Sequence, residues 1–254
     1  MNAMIFAAGL GTRLKPFTDS HPKALLPLAG KPLLQWQIEQ LHDAGITDIV
    51  VNVHHHAEQI IDYLQTQDFG CRIRISDERA ALLNTGGGLR KAMHEVAAET
   101  DDTPWLVCNV DMLSNIRLPQ LIQSHRPEDL ATLVVSQRQT QRYLLFDADQ
   151  RLKGWTNIAT GELRPQTLPP DIREQYQPLA FSGMQIVSPR LLPYMDEVAK
   201  EKGDKFSLID LYLSICEHHP EEVLRAYIPA DYRMMDVGKT AQLQEAQRFA
   251  MQLT

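Results

Sequence analysis

An α/β fold with a mainly parallel sheet, covered by helices on both faces, is what this sequence predicts. Two observations predict it. Several strand-length runs are apolar throughout, without the in–out alternation of a half-exposed strand. Amphipathic segments recur between these runs over residues 1–115, the rhythm of strand–helix–strand units.

Ala3–Ala8 is the first run, and the loop behind it extends to Lys31. Pro32 opens a helix at its favoured first position, with Leu34, Ile38 and Leu41 on one face and Gly45 closing it. Asp48–Val53 (DIVVNV) reads as the second strand, Ala57–Leu64 as a helix and Cys71–Ser76 as the third strand. Gly88–Glu99 is expected to be helical, with Leu89, Ala92, Met93 and Val96 as its inner stripe. Trp105–Val110 (WLVCNV) is the fourth strand and ends at Asp111.

Beyond residue 115 the pattern changes. Ala131–Ser136, Tyr143–Asp147 and Arg151–Trp155 are short strand-like runs with few helices between them. Gly161–Pro178 holds four prolines among polar residues, the composition of a long surface excursion. Leu179–Val187 reads as a strand, Phe206–Glu217 as an amphipathic helix, Glu222–Tyr227 as a late strand and Lys239–Leu253 as a terminal helix. Neither repeats nor low-complexity linkers occur, so one domain spanning 1–254 is expected.

Composition narrows the function classes. Hydrophobic content of 44% and charged content of 22% are those of a globular chain. A formal charge of −7 argues against a general nucleic-acid binder, since the phosphate backbone selects basic surfaces. Cys71, Cys108 and Cys216 have no metal or redox spacing and read as free thiols. No run approaches the roughly 18 apolar residues that span a bilayer, and the start shows no leader pattern. A cytoplasmic protein without membrane partners is expected.

The chemistry concentrates behind the first strand. Gly9 and Gly11 let the chain turn with its N–H groups exposed, and Arg13 and Lys23 add two positive charges to the same loop. Such a loop suits a ligand with several phosphates. It is not a P-loop, because GxxxxGK[ST] does not occur. A dinucleotide fingerprint needs a third glycine where Leu14 stands and an acid at the end of the second strand, where Val53 and His54 stand. An NAD-dependent oxidoreductase is disfavoured on both counts. The run His54–His56 is read as the exit loop of that strand, since consecutive side chains diverge and rarely share one ion.

The full string GLGTRLKPFTDSHPKALLPLAGKP matches every fixed position of GxGTRxxPxTxxxPKxLxPxxxKP. It therefore resembles the signature of the nucleotidyltransferases that activate sugar 1-phosphates. Four further landmarks extend the resemblance: Asn84–Leu89 (NTGGGL), Asp111, Ala180–Met184 (AFSGM) and Met235–Gly238 (MDVG). The resemblance implies a Rossmann-like three-layer α/β/α fold of the GT-A-like kind, with a mixed, mainly parallel sheet. It implies a nucleotide-binding half over about 1–115 and a sugar-binding half over about 116–254. Arg13 and Lys23 are the implied catalytic charges. Ala8, Gly9, Gly11, Thr12, Asn84, Thr85 and Gly86 join them in nucleotide binding. Asn109, Asn157, Gly183 and Lys205 are implied at the sugar phosphate, with Trp155 nearby, and Asp111 and Asp236 as ligands of Mg²⁺.

The implied reaction converts an NTP and a sugar 1-phosphate into an NDP-sugar and pyrophosphate. Length and the TGGG run look most like the minimal uridylyltransferases acting on N-acetylmuramate 1-phosphate. Guanylyltransferases for mannose or heptose 1-phosphate and cytidylyltransferases for choline phosphate share the organisation, and a silent nucleotide-binding regulator is the alternative of another class. Three departures bear on the substrate: Val110 replaces a glycine before the metal aspartate, Asn84 replaces Glu or Gln, and a Glu-Lys-Pro motif is missing. No C-terminal hexapeptide repeat follows, so a monomer or small homo-oligomer is expected.

Overall fold

The protein is described from a computed structural model covering residues 1–96, 102–169 and 172–253. Strand β1 (Asn2–Phe6) leads into three 3-10 turns, Thr12–Leu14, Phe17–Asp19 and Lys23–Leu25. A small ribbon of β2 (Pro27–Leu28) and β3 (Lys31–Pro32) closes that loop. Then follow α1 (Leu33–Asp43), β4 (Asp48–Val53), α2 (Ala57–Thr66), β5 (Arg72–Asp77), α3 (Asn84–Val96), β6 (Trp105–Asn109), β7 (Met112–Ser114) and α4 (Leu118–Ser124). The second half holds β8 (Asp129–Ser136), β9 (Arg142–Phe146), β10 (Leu152–Asn157), β11 (Leu163–Arg164), α5 (Ile172–Gln175) and β12 (Gln177–Val187). It ends with α6 (Leu192–Lys202), α7 (Leu208–His218), β13 (Val223–Tyr227), β14 (Met234–Asp236) and α8 (Leu243–Ala250).

The central sheet is mixed, with a parallel body. β5, β4, β1 and β6 lie side by side and parallel, with Ile5 of β1 between Val51 and Cys108. Alternate residues of β1 enter opposite layers, as the period-2 pleat requires. Ala3 and Ile5 pack with Leu34, Ile38, Leu41 and Ile60 of α1 and α2. Met4 packs on the other side with Leu89, Met93, Met195, Leu211 and Tyr212 of α3, α6 and α7. A strand buried on both faces must be apolar throughout, which is why these runs carry no alternation.

The chain steps from β1 out to β4 and β5, then returns to place β6 on the other side of β1. That reversal opens a crevice outside the carboxyl ends of β1 and β6, the usual ligand site of an open α/β sheet. Beyond β6 the pairings are antiparallel, except that β13 lies parallel to β8. β12 pairs β6 through Met184–Val187, pairs β8 on its other side, and lends Gln177–Leu179 to β9. The ladder with β8 is bulged between Phe181 and Gln185, where Gly183 has φ +72°.

Several expected boundaries move. Pro32 ends β3 and stands just ahead of α1 instead of being its first residue. α3 starts at Asn84, four residues before the expected Gly88, so the glycine run is the helix's first turn; the expected stretch 97–99 lies outside the described residues. Ser207 caps α7, accepting from the Asp210 N–H, so this helix starts after Phe206. Three helices of the strand-rich half, α4, α5 and α6, have no counterpart in the sequence reading. The Gly161–Pro178 excursion contains β11, which pairs with Trp155 and Thr156 of β10, and the short α5. Among the described residues, no helix is long and apolar enough to cross a membrane.

Candidate functional site

The glycine loop leaves β1 under tight control. The backbone N–H groups of Ala7 and Ala8 donate to Asn52 Oδ1 at 2.7 and 3.3 Å. Gly11 sits at φ +62°, its carbonyl accepting from Leu14 N at 2.8 Å and from Thr18 Oγ1 at 2.9 Å. A Cβ there would lie 2.7 Å from Thr18 Cγ2, so glycine is needed for both conformation and space. Thr12 and Arg13 occupy the first 3-10 turn, and Lys23 opens the third. Lys23 is buried, and its ammonium is bonded to Asp111 Oδ2.

Asp111 stands just past β6, and the fold brings Asp236 to it by a two-stranded ribbon. β7 pairs antiparallel with β14, Asp236 lies opposite Met112, and Val237 N donates to Asp111 O at 2.9 Å. The ribbon therefore brings the two residues' backbones together although they are far apart in sequence. Gly238 follows. An added Cβ at Gly238 would lie 2.6 Å from Asp236 Oδ1 and 2.8 Å from Arg13 Nη2. Arg13 and Asp236 thus converge on the one residue that leaves them room.

The glycine run at the start of α3 is held from the other half of the chain. Gly86 N and Gly87 N both donate to Phe206 O, at 2.9 and 3.3 Å, and Thr85 Oγ1 accepts from Leu208 N at 3.0 Å. The Phe206 ring lies 2.4 Å from a Cβ position at Gly86, and Asp204 O lies 1.9 Å from that of Gly87. A side chain at either position would push the 204–206 segment away. Asn84, at φ +64°, accepts from Thr85 N through Oδ1 at 2.8 Å and places its side chain at the rim.

One cavity of about 500 Å³ gathers these parts. Every residue expected from the sequence lines it except Gly86, Trp155, Asn157, Gly183 and Asp236. Asp236 adjoins it through Gly238, and Gly86 lies directly behind Thr85. Gly183 backs its wall: a Cβ there would lie 2.7 Å from Asn109 Nδ2, so the bulge allows the strand to meet that side chain. Asn157 lies apart and caps its own turn, Oδ1 accepting from Ala159 N at 3.1 Å. Trp155 is covered by the Arg164 guanidinium at 4.7 Å from its ring centroid. Lys205 reaches the cavity because the 204–206 segment is pinned to α3.

Two residues of the site escaped sequence reasoning. Asn52 and Glu78 are buried polar groups lining the same cavity. Asn52 Nδ2 donates to Glu78 Oε1 at 2.6 Å, and Leu83 N donates to Glu78 Oε2 at 3.0 Å. The available signal was Asn52 itself, a polar residue inside an otherwise apolar strand, since a buried amide needs partners. The histidine run does diverge. His54 Nδ1 meets Glu78 O at 2.7 Å, His55 Nε2 meets Thr18 O at 3.3 Å, and His56 precedes α2 at φ +51°. Among the described residues, no group of three or more His, Cys, Asp or Glu is placed to hold a metal.

Comparison with known proteins fits this geometry. A profile described as nucleotidyl transferase matches residues 2–159. The chain belongs to the nucleotidyl transferase family. An N-acetylmuramate alpha-1-phosphate uridylyltransferase from Neisseria meningitidis serogroup B is 40% identical over 134 residues, 52% of this chain and 56% of that protein. A UTP–glucose-1-phosphate uridylyltransferase from Synechocystis is 29% identical over 264 residues, covering 98% of this chain and 63% of the relative. The chain spans about half the length of the curated relatives it matches at 40% identity. Among solved structures, HddC from Yersinia pseudotuberculosis in complex with GMP-PN superposes with a TM-score of 0.71 at 21% identity, covering 98% and 99% of the two chains.

Proposed function

We propose that this chain transfers a nucleotidyl group from an NTP to a sugar 1-phosphate, with UTP and N-acetylmuramate 1-phosphate or a related hexose 1-phosphate as the pair. One observation carries the reading: the loop bearing Arg13 and Lys23 faces the ribbon bearing Asp111 and Asp236 across the switch-point crevice. Two cations and two carboxylates around a glycine loop suit a triphosphate. The relative from Neisseria supports the choice of base and sugar.

In this reaction an oxygen of the sugar phosphate attacks the α-phosphorus, the bond from that phosphorus to the bridging oxygen breaks, and pyrophosphate leaves. The nucleophile is already ionised at neutral pH, so no general base is needed. The chain's task is positioning and charge neutralisation in a partly desolvated site. Arg13 neutralises the departing pyrophosphate. Lys23, fixed by its bond to Asp111, neutralises charge nearer the α-phosphate and the attacking oxygen. Lys205 meets the incoming phosphate from the opposite rim. Asp111 and Asp236 are the residues that would hold Mg²⁺, an ion that takes one or two carboxylates and shares substrate phosphate oxygens. Bound there, the ion supplies further charge neutralisation at those oxygens.

Pyrophosphate release, measured with UTP, GTP, CTP and dTTP against a panel of sugar 1-phosphates and choline phosphate, tests the proposal. Release with UTP and N-acetylmuramate 1-phosphate is expected to exceed that of every other pair. Turnover confined to GTP or CTP would replace the substrate assignment. Tight NTP binding without release from any pair would make the chain a nucleotide-binding regulator.

A further inference from the structure

Glu78 stands out because it is buried at 1% exposure and, among the described residues, neither of its oxygens is hydrogen-bonded to a cationic side chain. A buried carboxylate is costly unless its oxygens are satisfied. Each oxygen accepts one N–H, and the two donors belong to different parts of the site. Oε1 takes Asn52 Nδ2 at 2.6 Å, while Oε2 takes Leu83 N at 3.0 Å, one residue before Asn84. Asn52 uses its other end on the glycine loop, where Oδ1 accepts from Ala7 N and Ala8 N. The backbone of Glu78 is tied as well, its N–H donating to Val53 O at 2.8 Å and its carbonyl meeting His54 Nδ1. From Ala7 to Leu83, the chain of partners is unbroken.

We infer that Asn52 and Glu78 are a pair of positioning residues that fix the spacing between the two nucleotide-binding segments, the glycine loop and the start of α3. This rests on reading the cavity as the NTP site. Apolar side chains at these positions would leave three backbone N–H groups of functional loops unpartnered. Gly88 fits the same purpose: a Cβ there would lie 2.7 Å from Glu78 Oε1 and 3.2 Å from Asn52 Nδ2, so only glycine leaves the pair in place.

The relay makes a prediction that general packing does not. In Glu78→Gln, one carboxylate acceptor becomes a donor facing either Asn52 Nδ2 or Leu83 N. In Asn52→Asp, the donor to Glu78 is lost and a second carboxylate faces the first. The double variant Asn52→Asp/Glu78→Gln keeps every hydrogen bond. The carboxylate introduced at position 52 would accept from Ala7 and Ala8 through one oxygen and from the amide introduced at position 78 through the other. The carbonyl end of that amide would still accept from Leu83. Net charge returns to that of the parent.

The test uses the full chain, with UTP–Mg²⁺ and GTP–Mg²⁺ titrations by calorimetry in the absence of sugar phosphate. KM for each substrate and hydrogen exchange at the Ala7, Ala8 and Leu83 amides complete it. Each single variant is expected to weaken NTP binding and raise the NTP KM on the order of ten-fold, leaving the sugar-phosphate KM within about two-fold. The double variant is expected to recover both NTP binding and amide protection. Singles that bind NTP like the parent, or a double variant that binds no better than either single, would overturn the inference. If a single variant fails to fold, the double decides, because a misfolded double would mean that the carboxylate's location matters and the relay does not. If the parent itself binds no NTP, the reading of the cavity is wrong. The relay is then judged on exchange alone: faster exchange at the three amides in the singles and recovery in the double uphold it, and unchanged exchange refutes it.

Discussion

Gly238→Ala separates the demands of the fold from those of the chemistry. Gly238 does not occupy the left-handed region, so alanine takes up its backbone without strain. The new methyl would lie 2.6 Å from Asp236 Oδ1 and 2.8 Å from Arg13 Nη2, well inside an ordinary contact of about 3.5 Å. Both atoms are the far ends of flexible side chains. Moving them by somewhat under ~1 Å relieves the contact at small cost to folding. For the reaction the same shift is expensive, since a misplacement of ~1 Å at a reacting centre costs about 10²-fold in rate. Pyrophosphate release should therefore show kcat/KM reduced about 100-fold, with a thermal midpoint within about 2 °C of the parent. Activity within about three-fold of the parent would refute the placement of Arg13 and Asp236. A loss of activity matched by a large fall in thermal midpoint would show that Gly238 serves folding instead.

Three other outcomes follow from the structure. Lys23→Ala should lower kcat by about 10²–10³ while the protein remains folded, as judged by circular dichroism, because Asp111 is partly exposed and tolerates losing its partner better than a fully buried acid. Arg225→Leu removes the bidentate partner of Asp129, a residue with no exposed surface, whose oxygens accept from Arg225 Nε and Nη2 at 2.8–3.0 Å. Urea unfolding should show a loss of about 3–5 kcal/mol, mostly recovered when Asp129→Leu is added. Burial pushes the thiols of Cys108 and Cys216 up to about 12, so at pH 8 only ~10⁻⁴ of either is thiolate. A thiol reagent followed by mass spectrometry should modify both slowly in the native protein and rapidly in urea. Raising the pH toward 12 should speed the native reaction, and equally fast labelling at pH 8 would contradict the burial.

The parallel body of the sheet was legible because a strand buried on both faces must be apolar along its whole length. β1, β4 and β6 obey that rule apart from polar residues near their ends, Asn52 and Asn109 among them, and the helices between them carry their own stripe. The glycine loop was legible because glycines and cations cluster within one stretch of sequence. What escaped was non-local. NTGGG reads as a loop from its composition, yet it is helical because Phe206 O and Asp204 O press against it from the far half of the chain. The ribbon joining Asp111 to Asp236 rests on strands of three residues, too short to leave a periodic signal. Glu78 lay outside every motif, and its meaning depends on Asn52, which only the folded sheet brings to it.

β12 has a mechanical consequence. Over Met184–Val187 it is hydrogen-bonded to β6 on one side, and β8 is laced to its other edge. A hinge needs a seam that few bonds cross, and this strand is stitched into both halves. Rigid-body opening would require tearing a ladder in the middle of the sheet. Any widening of the cavity must then come from outside this ladder, with the sheet as a fixed floor.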